Sequence, residues 1–145
     1  MSLTSNQIED LRAFAGTIIP ASAAHGVPGA DDEAIFADIL RSLDRDQDDV
    51  AAALTRLAVL AGRPFAALAP PRRLDIANLF RAEGGSPLAA ISRVVLLCYY
   101  RDDRVMRSLG QEPRPPFPEG HVVEQGDWSL LDPVRQRKPF YRNPR

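Results

Sequence analysis

Residues 86–100 have the sequence SPLAAISRVVLLCYY, the most apolar helical pattern in this chain of 145 residues. Ser86 predicts a helix N-cap and Pro87 the first helical position, where a missing N–H costs no hydrogen bond. The apolar residues that follow leave almost no polar face: Leu88, Ile91, Val94, Val95, Leu96, Leu97 and Cys98. Since a helix that is apolar all round is buried, we expect this one to lie at the centre of the core, surrounded by the others.

Two helices are predicted before this segment by a cap and by apolar spacing. Thr4 and Gln7 form a capping-box pattern, which predicts a helix that ends at Pro20. A second helix is expected to begin near Asp31. Apolar residues recur with helical spacing in both and are expected to face the core. They are Ile8, Leu11, Phe14, Ala15 and Ile18, then Ile35, Phe36, Ile39, Leu40 and Leu43.

The remaining helices are bounded by aspartate, proline and glycine. One is expected from Asp46 to the Gly62 cap, one from Pro70 to Gly84, and a short one from Asp102 or Asp103 to Leu109. The expected core positions of the Pro70 helix are Leu74, Ala77 and Phe80. No stretch alternates with period two, so no sheet is predicted. We therefore predict an all-α fold, a compact bundle of about five to six helices over residues 1–110.

Residues 111–145 have a different composition and are predicted to be an extended, irregular arm. They hold seven of the 13 prolines, which is too many for a helix. Disordered tails avoid aromatic residues, yet this segment contains Phe117, Trp128, Phe140 and Tyr141. We therefore expect it to pack on its own helical domain or on a partner, and both alternatives stay open.

The last 13 residues are basic: they carry Arg135, Arg137, Lys138, Arg142 and Arg145 and no acidic residue. Basic and aromatic residues together are also typical of nucleic-acid binding. The whole chain has a net charge of -1, however, and offers no basic field for a polyanion. An acidic protein surface is the favoured target, and nucleic acid is the alternative.

Candidate partner-binding residues follow from these patterns. Tyr99 and Tyr100 are adjacent and cannot face the same way on a helix, so one is expected to pack inward and the other to be exposed. Tyrosine, tryptophan and arginine are the residues enriched at interface hot spots. The candidates are therefore Tyr100, Trp128, Arg137, Phe140, Tyr141 and Arg142.

The catalytic inventory is thin. No nucleotide-binding, serine-hydrolase or zinc-protease motif occurs, and the two histidines, His25 and His121, lie in loops far apart in sequence. A small helical enzyme that uses His121 or His25 stays an alternative. Cys98 is expected to be a buried, inert thiol. No catalytic, cofactor-binding or metal-binding residue is assigned. With one cysteine and two histidines, the chain cannot form a structural zinc site from Cys and His ligands alone.

The amino terminus, MSLTSNQIEDLRAF, has no basic region, twin arginine or apolar stretch of a leader. No apolar run approaches the roughly 18 residues that span a bilayer, so no direct membrane insertion is expected. The sequence predicts a cytoplasmic chain, which would be periplasmic if a partner or an upstream signal carried it.

Several short motifs, taken in order, resemble the gluconate 2-dehydrogenase subunit 3 family over roughly residues 8–120. They are Thr17-Ile18-Ile19-Pro20, Pro28-Gly29-Ala30, Gly62-Arg63 with Phe65 and a proline-started helix, and Tyr99-Tyr100 with Leu109-Gly110. The resemblance implies the small subunit of an FAD-dependent dehydrogenase of the glucose-methanol-choline type. It implies that FAD and catalysis belong to the large subunit, which oxidises sugars, sugar acids or other alcohols. It also implies that a cytochrome c subunit often accepts the electrons, and that the small subunit stabilises or chaperones its bacterial partner.

Overall fold

Residues 3–138, the part that this computed structural model describes, contain seven α-helices and no β-strand. The all-α prediction is confirmed. The helices are α1 Ser5–Ile18, α2 Glu33–Arg41, α3 Gln47–Ala61, α4 Pro70–Glu83, α5 Ser86–Tyr100, α6 Asp103–Ser108 and α7 Asp132–Arg135. Three short 3₁₀ helices lie at Asp44–Asp46, Phe65–Ala67 and Trp128–Leu131.

The helix ends follow from local capping. The Thr4 side chain accepts a hydrogen bond from the Gln7 N–H, and the Gln7 side chain accepts one from the Thr4 N–H, so the expected capping box starts α1. Asp32 caps α2 and Asp102 caps α6 through their carboxylates. α3 ends at Gly62, whose φ of 68° lies in the left-handed region that favours glycine.

The core of the helical part is apolar and centres on three phenylalanines. The Phe14 ring makes edge-to-face contacts with Phe65 and Phe80, at centroid distances of 5.8 and 6.0 Å. Such contacts stabilise aromatic pairs by about 1 kcal/mol beyond the burial of their area. α3 packs against α5 and α4, and α5 packs against α2 and α6. Other fully buried side chains come from every helix up to α6: Leu11, Ile35, Ile39, Leu54, Leu57, Ile76, Ile91, Val95 and Val105.

The prediction that α5 is surrounded on all sides is wrong. Ile91, Val94 and Val95 are buried as expected, but the side chains of Leu96 and Leu97 are 41% and 55% exposed. The apolar composition of the helix exceeds what its neighbours cover, so composition alone overestimates its burial. The predicted N-cap is also displaced by one residue, because Gly85 with φ 92° precedes the helix and Ser86 is its first residue.

The inward face of α4 also differs from the prediction. Phe80 is buried as expected, but the other buried residue of this helix is Ile76, and Leu74 is 53% exposed. Ile76 and Phe80 are four residues apart and therefore share one face of the helix. Ala77 also packs against the core, so the prediction was right for Ala77 and Phe80, wrong for Leu74, and missed Ile76.

The chain divides into two units, Met1–Pro113 and Arg114–Arg145. The first contains α1 to α6 and the core. The second contains the 3₁₀ helix Trp128–Leu131 followed by α7. The prediction of an arm that is extended or irregular throughout is therefore wrong for residues 128–135. Pro133 lies in the first turn of α7, where a proline costs no hydrogen bond, so a high proline content does not prevent this short helix.

Candidate partner-binding surface

Tyr100 lies in the last turn of α5 and is 54% exposed, whereas its neighbour Tyr99 is buried. The two rings meet edge to face with their centroids 5.2 Å apart. The expectation that one ring packs inward and the other is exposed is therefore confirmed. Burial raises the pKa of the Tyr99 phenol. The exposed Tyr100 ring therefore lies against a ring that is buried in the core.

Trp128 begins the 3₁₀ helix of the arm and is 61% exposed. Its indole Nε1 donates a hydrogen bond to Oε1 of Gln125 at 3.1 Å. The Asp127 carboxylate caps the same turn by accepting from the Ser129 N–H at 3.0 Å and from the Ser129 hydroxyl, and these bonds lower the pKa of Asp127. The polar edge of the indole is thus satisfied locally, and its apolar faces are presented to solvent.

Exposed apolar side chains surround Trp128 along the chain. The large ones between residues 114 and 138 are all exposed: Phe117, Val122, Val123, Leu130, Leu131 and Val134. In the helical unit, by contrast, most residues of these types belong to the core. Exposed apolar side chains in this number are typical of interaction sites in folded proteins.

The predicted basic residues of the arm are only partly within the described range. Arg137 is exposed and follows α7. Arg135 forms an ion pair with Asp132 at 3.4 Å across one turn of α7. The candidates Phe140, Tyr141 and Arg142 lie outside the described residues. Trp128 therefore begins one short helical stretch and Arg137 follows its end, whereas Tyr100 belongs to the other unit.

The candidates for chemistry lie in separate places. His25 is exposed in the loop between α1 and α2, next to the isolated bridge that joins Ser22 and Val27. His121 is exposed in the second unit. Cys98 is buried on α5, as expected, and burial raises the pKa of its thiol. Within residues 3–138, no three His, Cys, Asp or Glu side chains are grouped so as to hold a metal ion.

The sequence did not predict a row of ion pairs between nearby aspartates and arginines of α5, α6 and the segment that joins them, which we call the arginine–aspartate seam. Arg93 of α5 pairs with Asp46, and Arg101, which follows α5, donates to Asp38 of α2 at 2.5 Å. Arg104 of α6 bridges the cap residues of two helices, with Nη2 2.7 Å from Asp32 and 3.0 Å from Asp102. These hydrogen bonds lower the pKa values of the Asp32, Asp38 and Asp102 carboxyls. The seam ties α2 to α5 and α6 and is therefore part of the scaffold.

A second missed feature is the fixation of the turn Phe65–Ala67. Asp10 is buried, at 4% exposed, and its Oδ1 accepts from the Ala66 N–H at 2.7 Å. Arg73 Nη2 donates to the Ala66 carbonyl at 2.5 Å. Two charged side chains thus satisfy both backbone groups of one residue and hold Phe65 in the core. An aspartate between Glu9 and Leu11 on α1 carries no sequence signal for this role.

Most residues that carry the family resemblance act in the scaffold. A Cβ at Gly29 would lie 2.9 Å from the backbone nitrogen of Ala21 and would also meet the Asp31 carboxylate, so no side chain fits there. Gly62 ends α3, Phe65 is fully buried, and Pro70 starts α4. Tyr100 differs from these, because its side chain is exposed. The motifs thus describe how this chain folds more than what it binds.

Comparison with models of protein families, with curated proteins and with solved structures found no match to this chain. Within residues 3–138, no helix has both the length and the apolar content needed to cross a membrane.

Proposed function

We propose that this chain is a non-catalytic accessory small subunit that binds and stabilises the large subunit of an FAD-dependent sugar or alcohol dehydrogenase. The observation that carries the proposal is the exposure of apolar side chains on the arm. Its large apolar side chains between residues 114 and 138 are exposed, and Trp128 is oriented there by its bond to Gln125. Exposed, locally ordered aromatic residues are the usual anchors of protein interfaces.

Charge supports a protein partner with an acidic surface. Residues 114–145 contain six basic and four acidic residues, whereas residues 1–113 contain twelve and fifteen. The basic excess is therefore confined to the arm, next to its aromatic residues. In this proposal Trp128, Phe140 and Tyr141 are the apolar anchors, Arg137 and Arg142 meet carboxylates of the partner, and Tyr100 adds a contact from the helical domain.

The identity of the partner rests on the resemblance described above. In this proposal FAD and the oxidation chemistry belong to the large subunit, a cytochrome c subunit is a further member of the complex, and residues 1–110 serve as the helical scaffold from which the arm, residues 111–145, extends. The small subunit acts by mass action. A protein that binds only the folded large subunit stabilises it by about 2.7 kcal/mol at a concentration one hundred times the Kd.

Co-expression tests the proposal. The chain is produced alone and with a large FAD-dependent dehydrogenase subunit of the same organism, and both samples are separated by size-exclusion chromatography with absorbance recorded at the flavin bands. We expect the chain to co-elute with the yellow partner and the soluble yield of the flavoprotein to fall without it. A colourless chain that elutes alone beside a fully soluble flavoprotein contradicts the proposal.

A truncation provides the matched control. Co-expression of residues 1–113 in place of the full chain removes residues 114–145, nearly the whole arm, and leaves every residue of the described core. We expect the truncated chain to lose co-elution. Circular dichroism of the purified truncated chain checks that its helices are intact, so that loss of binding is separated from loss of folding.

A further inference from the structure

A groove with an apolar floor lies on the helical unit, and its lining includes none of the residues used in the proposed function. A depression of about 360 Å³ between α1, α4 and α5 is lined mainly by Ile18, Leu74, Ala77 and Leu88. A second depression of about 310 Å³ adjoins it and shares Thr17 and Leu74. Leu74, which the sequence pattern placed in the core, is half exposed where the two depressions meet.

Two arginines of α4 lie at the two ends of this groove. Arg81 lines the first depression and has no ion-pair partner among residues 3–138. Arg73 lines the second; its Nη2 is bound to Ala66, while its buried Nε has no acceptor within the described chain. The two residues are eight positions apart, which is about 12 Å along a helix. Asp31 is the acidic residue of the lining, so cationic groups outnumber it.

We propose that this groove binds an acidic amphipathic helix of a partner protein. Its apolar stripe would cover Leu74 and the apolar floor. One carboxylate would pair with Arg81, and a second would lie near the guanidinium of Arg73, which lines the adjoining depression. The charge of the groove selects this occupant, because an unpaired arginine beside an apolar floor is complementary to a carboxylate beside an apolar side chain. An amphipathic helix that lays its apolar face into a hydrophobic groove is a recurring mode of recognition.

The site goes beyond the proposed function, whose contacts are Tyr100 and the arm. A direct test therefore uses a synthetic peptide and not the flavoprotein, so that failure of one proposal leaves the other standing. The probe is a labelled, end-capped peptide of about 16 residues with leucines at i, i+3, i+4 and i+7 and a glutamate at each end of that stripe. A control peptide carries lysines in place of both glutamates.

Fluorescence anisotropy with the full chain measures the affinity. We expect the glutamate peptide to bind with a Kd on the order of 10 to 100 μM and the lysine peptide to bind at least about tenfold more weakly. Absence of glutamate-peptide binding at about 1 mM, or equal affinity of the two peptides, overturns the proposal.

Matched variants on α4 locate the site. Leu74→Ser and Arg81→Gln are expected to weaken the glutamate peptide by about tenfold each. Leu79→Ser and Arg72→Gln change an equally exposed leucine and another exposed arginine of the same helix that do not line the groove, and are expected to leave the affinity unchanged. Equal losses in the groove and control variants contradict the proposal. A dimeric chain that Leu74→Ser converts to a monomer would also overturn it, because a second copy would then be the occupant.

Discussion

The helical unit and the arm use apolar residues in opposite ways. Phe65 of the helical unit is fully buried, with its ring edge to face with Phe14. Phe117 of the arm is 86% exposed. Apolar side chains of the helical unit thus form its core, whereas the large apolar side chains of the described part of the arm stay exposed. Their exposed surface is available to a binding partner. Hydrophobic composition predicts a need for burial in both regions but does not say which surface provides it.

The largest effect on stability is expected from one of two phenylalanine substitutions that compare the helical unit with the arm. Phe65→Ala removes a buried ring and leaves a cavity, so we expect the free energy of unfolding to fall by about 3 to 5 kcal/mol. Phe117→Ala removes a ring that is already exposed, so we expect a change within about 0.5 kcal/mol. Urea denaturation followed by circular dichroism measures both. A large loss of stability in Phe117→Ala would show that the arm contributes to the fold.

Substitution of Trp128 tests the arm as a binding element. Trp128→Ala is expected to leave the stability of the chain unchanged and to weaken the complex with the large subunit by about 2 kcal/mol or more, as truncation of an aromatic anchor does. Isothermal titration with the purified flavoprotein measures the Kd. The control is Leu97→Ala, an exposed apolar residue of α5 that the proposed contact does not include. An unchanged Kd for Trp128→Ala would remove this residue from the interface.

The buried Asp10 carboxylate provides a smaller test within the helical unit. Asp10→Ala leaves the Ala66 N–H without its acceptor, and we expect a loss of about 1 to 3 kcal/mol in the free energy of unfolding. Asp10→Asn retains an oxygen acceptor and should lose less. Chemical denaturation of the two variants separates the hydrogen bond from the charge. Equal losses would show that the negative charge, and not the bond to Ala66, is what stabilises this turn.

The arginine–aspartate seam predicts a modest dependence of stability on pH. The pKa values of Asp32, Asp38 and Asp102 are lower in the folded chain than their ordinary value of 3.8. The unfolded chain therefore binds more protons than the folded chain in this range. The stability that these carboxylates contribute is complete above about pH 4 and is lost as the pH falls through the lowered values.

The arginines of these pairs are nearly half exposed, so solvent screens them, and we expect a combined loss of about 1 to 2 kcal/mol on acidification. Thermal unfolding between pH 5 and pH 3 measures it. The variant Arg104→Gln removes the guanidinium that lowers two of the three pKa values, so its stability should change less over the same range. An identical pH profile in this variant would contradict the role given to Arg104.

Local signals in the sequence predicted the helices because caps and breakers act over a few residues. Thr4 caps the start of α1, Gly62 ends α3 and Pro70 begins α4, as their positions in the sequence predicted. The errors arose where burial depends on neighbours distant in sequence. Leu74, Leu96 and Leu97 are as apolar as the core residues beside them, and only the packing of other helices determines which are covered.

The candidate binding surface was predictable in part for the same reason. The composition of the arm indicated an interaction segment, and adjacent tyrosines indicated one exposed ring at Tyr100. The hydrogen bond from Trp128 to Gln125 and the short helix α7 were not predicted from the sequence and are seen only in the structure. The contacts of Asp10 with Ala66 and of Arg104 with Asp32 join residues more than fifty positions apart, and no local pattern predicts such pairs.

Trp128 is the chain's single tryptophan, so one spectroscopic signal reports on the arm. The most direct measurement is ¹⁹F NMR of the full chain labelled with 5-fluorotryptophan, alone and with the unlabelled large subunit. We expect a solvent-exposed resonance in the free chain that shifts and broadens when the complex forms. A resonance that stays unchanged while the two proteins co-elute would contradict the assignment of the arm as the binding element.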